Sequence, residues 1–343
     1  MILWTDVVEV FVITALVSYL IMPLLIKMAL VVGYLDHPKD TKIHAKPTPL
    51  LGGVGIYIAF MIGLCTAVNP LTDVRLLGVI IGSSLLLVVG LIDDRFGMIP
   101  EIKLLAQFLA AMAIIKAGVR MEFLQQYYVN MIITYIWIVG ITNAFNLLDN
   151  MNGLSAGIGF IASIFFGIIM WTTHQQEMAV LSFAIGGASI GFLKHNFPRA
   201  RIFMGDSGSL VIGFVLASIA ILGSWSSRFL TTSLAMPILI LAYPIFDTTL
   251  VTIIRIKEGR SIFQGGKDHS SHRLALLGLR RRNAVLMIYG ICITLGISAL
   301  FVQRLSLKAA MSVIAAVALS LIALGIRLAT VTTGRFGRKR VSG

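Results

Sequence analysis

Residues 74–94 read VRLLGVIIGSSLLLVVGLIDD, an apolar run with one charge near its start (Arg75), closed by two adjacent aspartates, Asp93 and Asp94. A hydrocarbon core about 30 Å thick requires roughly 20 mostly apolar residues in a helix, and this run has that length. The pattern recurs on both sides. Eleven such segments are read, at about 7–32, 50–68, 74–92, 102–117, 129–148, 153–172, 178–194, 207–225, 232–254, 284–303 and 308–328. The fourth is the weakest, since it contains Gln107 and ends at Lys116. Composition agrees: of 343 residues 57% are hydrophobic and 13% charged, against roughly 45–50% and about 25% in soluble domains. The expected fold is therefore all-α, a polytopic integral membrane protein of about eleven transmembrane helices. A disulfide scaffold is excluded, because the two cysteines, Cys65 and Cys292, both lie inside apolar runs. The first run has Asp6 and Glu9 and no basic stretch before it, so it is expected to stay in place rather than be cleaved as a signal peptide.

The net charge of +13 could suggest a nucleic-acid partner. Its distribution argues against one. With eleven spans the loops alternate between two sides, and one side receives 22 of the 28 Lys and Arg residues. An excess of Lys and Arg marks cytoplasmic loops. The N-terminus is then expected outside, the C-terminus in the cytoplasm, and no nucleic acid is called for. The chain reads as a single transmembrane domain over 1–329 followed by a basic tail over 330–343, the latter suited to anionic lipid headgroups. Ten of the fifteen acids also fall on or near the cytoplasmic side. Acids contribute little to topology, so their clustering calls for a chemical reason.

Asp93 and Asp94 sit where the C-terminal end of a helix carries partial negative charge, which calls for a compensating Lys, Arg or metal. A structural role as a cap for the next helix is the competing reading for Asp94. Asn146 and Asp149 are three residues apart and share a helix face at the end of the fifth run. Asp206, in FMGDSGS, precedes the eighth run, a position that also suits an N-cap. Asp247, after Pro244, lies inside the ninth run, where an ionisable group is a functional candidate by default and the proline is expected to kink the helix. Oxygen-rich sites of this kind favour Mg²⁺, which takes one or two carboxylates and completes its shell with water and phosphate. Mn²⁺ is the alternative ion. Nothing offers the closely spaced Cys and His of a zinc site.

Cations accompany the acids. The first cytoplasmic loop carries Lys42, His44 and Lys46 ahead of Gly52-Gly53, where helix N-terminal donors favour anions, although paired glycines are more often close-packing positions. Lys103 follows Asp93 on the far flank of the same loop, and GGKDHSSHRL, residues 265–274, places His269, His272 and Arg273 within a few residues of Lys267. Acids for a divalent cation, bases for phosphates and a setting at the membrane surface together suit phosphoryl transfer from a water-soluble donor to a lipid.

At these residues the chain resembles the polyprenyl-phosphate N-acetylhexosamine-1-phosphate transferase family. The resemblance runs from about residue 36 to 275 in five ordered motifs: Lys42-Ile43-His44 through Gly53, Asp93-Asp94, Asn143-Ala144-Phe145-Asn146 through Gly153, Asn196-Phe197-Pro198 through Ser209, and His269 through Leu274. It implies a Mg²⁺-dependent enzyme of the cell (inner or plasma) membrane, working at the cytoplasmic face. There polyprenyl phosphate attacks the β-phosphorus of a UDP-N-acetylhexosamine, UMP leaves, and the product is the first lipid-linked intermediate of a cell-envelope glycan. It further implies that Asp206 holds the metal with Asn146 or Asp149 beside it, that Asp93 activates the lipid phosphate and Asp94 supports it, and that Lys46, Lys103, His269 and His272 contact phosphates. Asn152, Asn196 and Phe203 would form the uridine pocket. A homodimer is compatible with this reading, as is contact with membrane lipid.

Two positions depart from the family pattern, Asn152 where many relatives have Asp and Ser271 where many have a third histidine. Both favour a UDP-GlcNAc donor over the phospho-N-acetylmuramoyl-pentapeptide branch. An aromatic prenyltransferase would want Asp-Asp-x-x-Asp, but position 97 is Gly97, and a CDP-alcohol phosphotransferase would want an Asp-Gly pair, which the chain lacks. A transporter or lipid flippase built around Asp247 would concentrate polar groups near the midplane and show repeats. Here they crowd one face.

Overall fold

A computed structural model of the chain describes residues 2–38, 46–121, 125–223, 230–262 and 266–331. Lys42, His44, Gly265 and all but the first two residues of the basic tail lie outside these. The contacts fall into two compact units, Met1–Ser226 and Ser227–Gly343.

The first unit holds α1 (Trp4–Val31), a two-stranded antiparallel ribbon of β1 (Leu35–Asp36) and β2 (Thr48–Pro49), then α2 (Gly52–Ala67), α3 (Val74–Phe96), α4 (Pro100–Lys116), α5 (Tyr127–Leu148), α6 (Leu154–Thr172), α7 (Gln176–Asn196) and α8 (Gly205–Leu222). The protein is thus an all-α, multi-pass membrane protein. Among the described residues, eight helices are long and apolar enough to cross a membrane, or nine if one bent pair counts as a span. The eleven apolar runs read from sequence each correspond to helix, but α2 and α4, at 16 and 17 residues, fall below the roughly 20 that a straight span requires.

Helix α8 is the core of the first unit. It packs against α3, α5, α2 and α6, and 83% of its most apolar window is buried inside the protein. Lipid tails give no hydrophobic reward for bringing helices together, so small residues and polar pairs must do it. Gly187 and Gly191 of α7 let α1 approach so closely that an added methyl would meet Thr14 and the Ala15 carbonyl. Ser18 Oγ donates to the Ala188 carbonyl at 2.7 Å across the same contact. Gln107, the residue that weakened the fourth run, is 2% exposed. It forms a reciprocal amide pair with Asn143 of α5, at 3.1 and 2.6 Å, which satisfies both side chains away from water.

The second unit holds α9 (Leu230–Ile240), α10 (Ala242–Lys257), a short α11 (Ser270–Leu276), α12 (Arg281–Val302) and α13 (Leu307–Ala329). The ninth run was expected to be one kinked helix. Instead Thr232–Ile240 and Ala242–Lys257 meet at 72°, because Pro244 falls in the first turn of α10 and has no N–H to continue the ladder of α9. Helix α11 lies in what the hydropathy pattern read as the long loop 255–283.

Candidate active site

The site is built around the start of α8. The first turn of a helix presents backbone N–H groups with no intrahelical acceptor. Here the acceptor comes from another span: Asp94, in the last turn of α3, takes the Asp206 N–H at 2.8 Å and the Ser207 N–H at 3.2 Å. Such proximity requires glycine. A Cβ on Gly90 of α3 would collide with the Ser207 backbone, and one on Gly205 (φ 70°) would collide with the Asp94 carboxylate. Asp94 therefore does cap a helix, but it is α8 rather than the following α4, whose N-cap is Ile99. Asp206 is not an N-cap, as its sequence position allowed. It occupies the second position of α8, behind Gly205, and its side chain is left for other work.

The same approach explains Gly52 and Gly53. Their N–H groups donate to the carbonyls of Phe203 and Met204, both at 3.0 Å, while Phe203 N–H donates back to Pro49 O at 2.8 Å. Added methyls there would strike Phe203 and Gly208. These glycines are close-packing positions, and their donors are engaged with protein.

Lys103, at the start of α4, reaches between the two acidic ends. Its Nζ lies 2.5 Å from Asp93 Oδ2 and 2.7 Å from Asp206 Oδ2, and its side chain is 23% exposed, so the ion triplet opens to solvent. Asn146 donates to Ser209 Oγ at 3.0 Å, one turn into α8. Asp149, at the C-cap of α5, keeps an open face. Even so, the protein crowded around it, with the charges of Asp206 and Asp94, pushes its carboxyl up to about 8. Four carboxylates thus gather with one ammonium. Tyr34, which sequence reasoning missed, belongs to the periphery: its hydroxyl donates to Leu91 O, and burial followed by the charge of Asp94 raises its pKa. No signal in the sequence set it apart.

The expected uridine residues also come together. Asn196 Oδ1 accepts from Gly153 N–H at 2.5 Å, and its Nδ2 donates to Ile202 O at 2.9 Å, so its amide clamps the loop after α5 to the segment before α8. Asn152 donates to Pro198 O at 3.3 Å. Phe203 is half-buried beside them in sequence. Lys46 is exposed at the foot of the ribbon.

In the second unit, Asp247 of α10 is fully buried. It accepts from His269 Nδ1 at 2.8 Å and from Ser270 N–H at 2.7 Å. Asp268 is held by Arg255 in a two-pronged pair at 3.0 and 2.9 Å, with Arg260 adding a contact at 3.0 Å. Arg273, expected at the substrate, is 1% exposed. Its guanidinium donates to the carbonyls of Asp268, Leu328 and Val331 at 2.7, 3.1 and 2.6 Å. Those bonds tie the end of α13 to α11, which is structural work. His272 sits near His269, ring centres 6.4 Å apart. Burial, and then the charge of His269, lowers its pKa to about 4, so it is neutral near pH 7.

Residues 76–224 match glycosyl transferase family 4, a stretch running from α3 to just past the end of α8. The chain is 33% identical over 306 residues to a probable undecaprenyl-phosphate N-acetylglucosaminyl 1-phosphate transferase of Bacillus subtilis (strain 168), covering 87% of this chain and 85% of that one. The chain belongs to the polyprenyl-phosphate N-acetylglucosamine-1-phosphate transferase family. Other relatives in the family are a decaprenyl-phosphate N-acetylglucosaminephosphotransferase of Mycolicibacterium smegmatis, 32% identical over 76% of this chain and 73% of its own, and the undecaprenyl-phosphate alpha-N-acetylglucosaminyl 1-phosphate transferase of Escherichia coli (strain K12), 27% identical over 83% and 79%.

No group of three or more His, Cys, Asp or Glu side chains is arranged to hold a metal among the described residues. A magnesium site needs no such group, since one or two carboxylates with water and phosphate complete it. Asp206 and Asp93 already share a positive charge, that of Lys103, so their oxygens converge on a place that attracts cations. The all-oxygen donor set fits Mg²⁺.

Proposed function

We propose that the protein transfers N-acetylglucosamine-1-phosphate from UDP-N-acetylglucosamine to polyprenyl phosphate, releasing UMP and forming the first lipid-linked intermediate of a cell-envelope glycan. The observation that carries this reading is the Asp93–Lys103–Asp206 triplet, at the ends of α3, α4 and α8, in a chain related to such transferases over most of its length. The 22-to-6 division of basic residues supports a cytoplasmic face for the site, with the N-terminus outside and the protein in the inner or plasma membrane. Residues 1–329 are read as one transferase.

In the reaction a phosphate oxygen of the lipid bonds to the β-phosphorus of the donor, and the bridging bond to the α-phosphate breaks with its electron pair leaving on UMP. Phosphoryl transfer of this kind is governed mainly by positioning and neutralisation of charge. Asp206, with Asp149 beside it, would hold Mg²⁺, which when bound neutralises the diphosphate. Lys103 turns its ammonium from the carboxylates to the incoming phosphates. Asp93, freed of that partner, takes the proton of a singly protonated lipid phosphate. Asp94 keeps the start of α8, and so Asp206, in place. Asn152 and Phe203 receive the uridine, Asn196 being buried and spent on holding the segments that carry them, and His269, His272 and Lys46 serve the phosphates.

The test is purified protein with Mg²⁺, undecaprenyl phosphate and radiolabelled UDP-GlcNAc. An organic-soluble labelled product and UMP are expected, and Asp206→Ala should abolish both while leaving folded protein. Inactivity of the wild type with every UDP-N-acetylhexosamine, alongside solute flux in proteoliposomes, would hand the case to a transporter.

A further inference from the structure

Asp247 has no part in the chemistry above, yet a carboxylate carried on an apolar helix is costly unless its oxygens are satisfied. Among the described residues, the side-chain partners of Asp247 belong to the segment that carries the histidines. Oδ2 takes His269 Nδ1 at 2.8 Å, and Oδ1 takes Ser270 N–H at 2.7 Å together with the Ser270 hydroxyl. An ionised carboxylate can only accept, so the proton directions follow. Ser270 donates to Asp247 and accepts in turn from the Tyr243 hydroxyl, 2.6 Å away. His269 must carry its hydrogen on Nδ1. Its Nε2 has no protein partner among the described residues.

We propose that Asp247 is a positioning residue, which keeps a hydrogen on His269 Nδ1 and holds the ring in one orientation, so that Nε2 faces a phosphate of the nucleotide sugar and donates to it when the ring carries a second proton. A carboxylate on the far nitrogen sets both tautomer and orientation in histidine sites generally. The arrangement separates two histidines that look equivalent in sequence. His269 is backed by a carboxylate, which also favours the doubly protonated ring that can offer a proton from Nε2, whereas His272 makes no such pair among the described residues. Asp247 acts at a distance from substrate, through His269, while its bond to Ser270 N–H also anchors the first turn of α11.

This inference rests on the proposed transferase reaction, and its test separates the two. Turnover of UDP-GlcNAc is measured for wild type, Asp247→Asn, His269→Gln, the double variant, and Asp247→Asn combined with His272→Gln. Asp247→Asn should lower kcat by about 10–100-fold with little change in KM. It should cost nothing further in the His269→Gln background and its full factor in the His272→Gln background. Equal loss in both backgrounds, or none in the wild type, would overturn the proposal, whereas an inactive wild type would overturn the transferase reading instead. The second measurement needs no turnover: nitrogen NMR of ¹⁵N-histidine-labelled wild-type protein, with the His269 signal assigned by its loss in His269→Gln. A hydrogen on Nδ1 is expected, and a neutral ring carrying its hydrogen only on Nε2 would overturn the proposal.

Discussion

At the scale of the residue, Lys103 decides the electrostatics of the first unit. Two carboxylates on separate helices cannot approach one cation position without repulsion unless something positive lies between them, and its Nζ touches both Asp93 and Asp206. Lys103→Gln keeps a polar side chain, one atom shorter, but leaves the acids unneutralised and the donor phosphates without an ammonium. A fall in kcat of roughly 10²–10³-fold is expected, the range for losing one donor that stabilises developing charge. Steady-state kinetics on protein that elutes as the wild type does in size-exclusion chromatography would check it. Retained turnover would show that Lys103 serves only to hold the acids together. The sequence named Lys103 and both aspartates, but not their triplet, because residues 93, 103 and 206 meet only through the packing of α3, α4 and α8. Arg273 teaches the converse. Its place just after two histidines and a lysine suggested phosphate, yet burial gave its guanidinium three backbone carbonyls instead.

At the scale of the element, the junction of α3 with α8 rests on Gly90. Gly90→Ala would push a methyl into the Ser207 backbone, and overpacking of this kind costs about 1–3 kcal/mol. Because that junction also seats Asp94 on the α8 N-terminus, the variant should lose both thermal stability and turnover. A parallel Ala substitution at Gly140, which has nothing within 4 Å of an added Cβ, should lose neither. Melting temperature and initial rate, measured together, check the pair. Helix existence was legible throughout from hydropathy. A kink at Pro244 was legible too, but not the full break at Leu241 or the short α11, because the first depends on how two helices turn ahead of the proline and the second on capping by Asp247, 23 residues upstream of Ser270.

At the scale of the whole molecule, protonation couples to stability. Burial, then the charge of His269, depresses the His272 pKa from 6.5 to about 4. The unfolded chain therefore takes up that proton first, and stability is lost as pH falls through the window between those values. Burial would raise the Asp268 carboxyl, but the paired Arg255 overrides it and holds it at about 2, against an ordinary 3.8. Its contribution is present above 3.8 and disappears as pH falls toward 2. Asp149 acts with the opposite sign: its raised carboxyl favours the folded state when protonated, and that contribution fades as pH rises from 3.8 toward about 8. The informative quantity is the difference between wild type and His272→Gln. Melting temperatures of the two should diverge with acidification between pH 6.5 and 4, the wild type falling faster, and run parallel below. Parallel curves throughout would remove His272 from the balance.

By itself the sequence determined the solvent, the all-helical fold and the identities of the acids and bases, because hydropathy over about 20 residues and the chemistry of a side chain are local properties. The tertiary structure decided which of those groups act on one another. It set Lys103 between Asp93 and Asp206, gave Asp94 to the backbone of α8, turned Arg273 to structural work and backed His269 with Asp247. Each of these pairings spans from a few residues to more than a hundred along the chain. Each depends on how closely helices can approach, and that is a property of packed surfaces, which no local stretch contains.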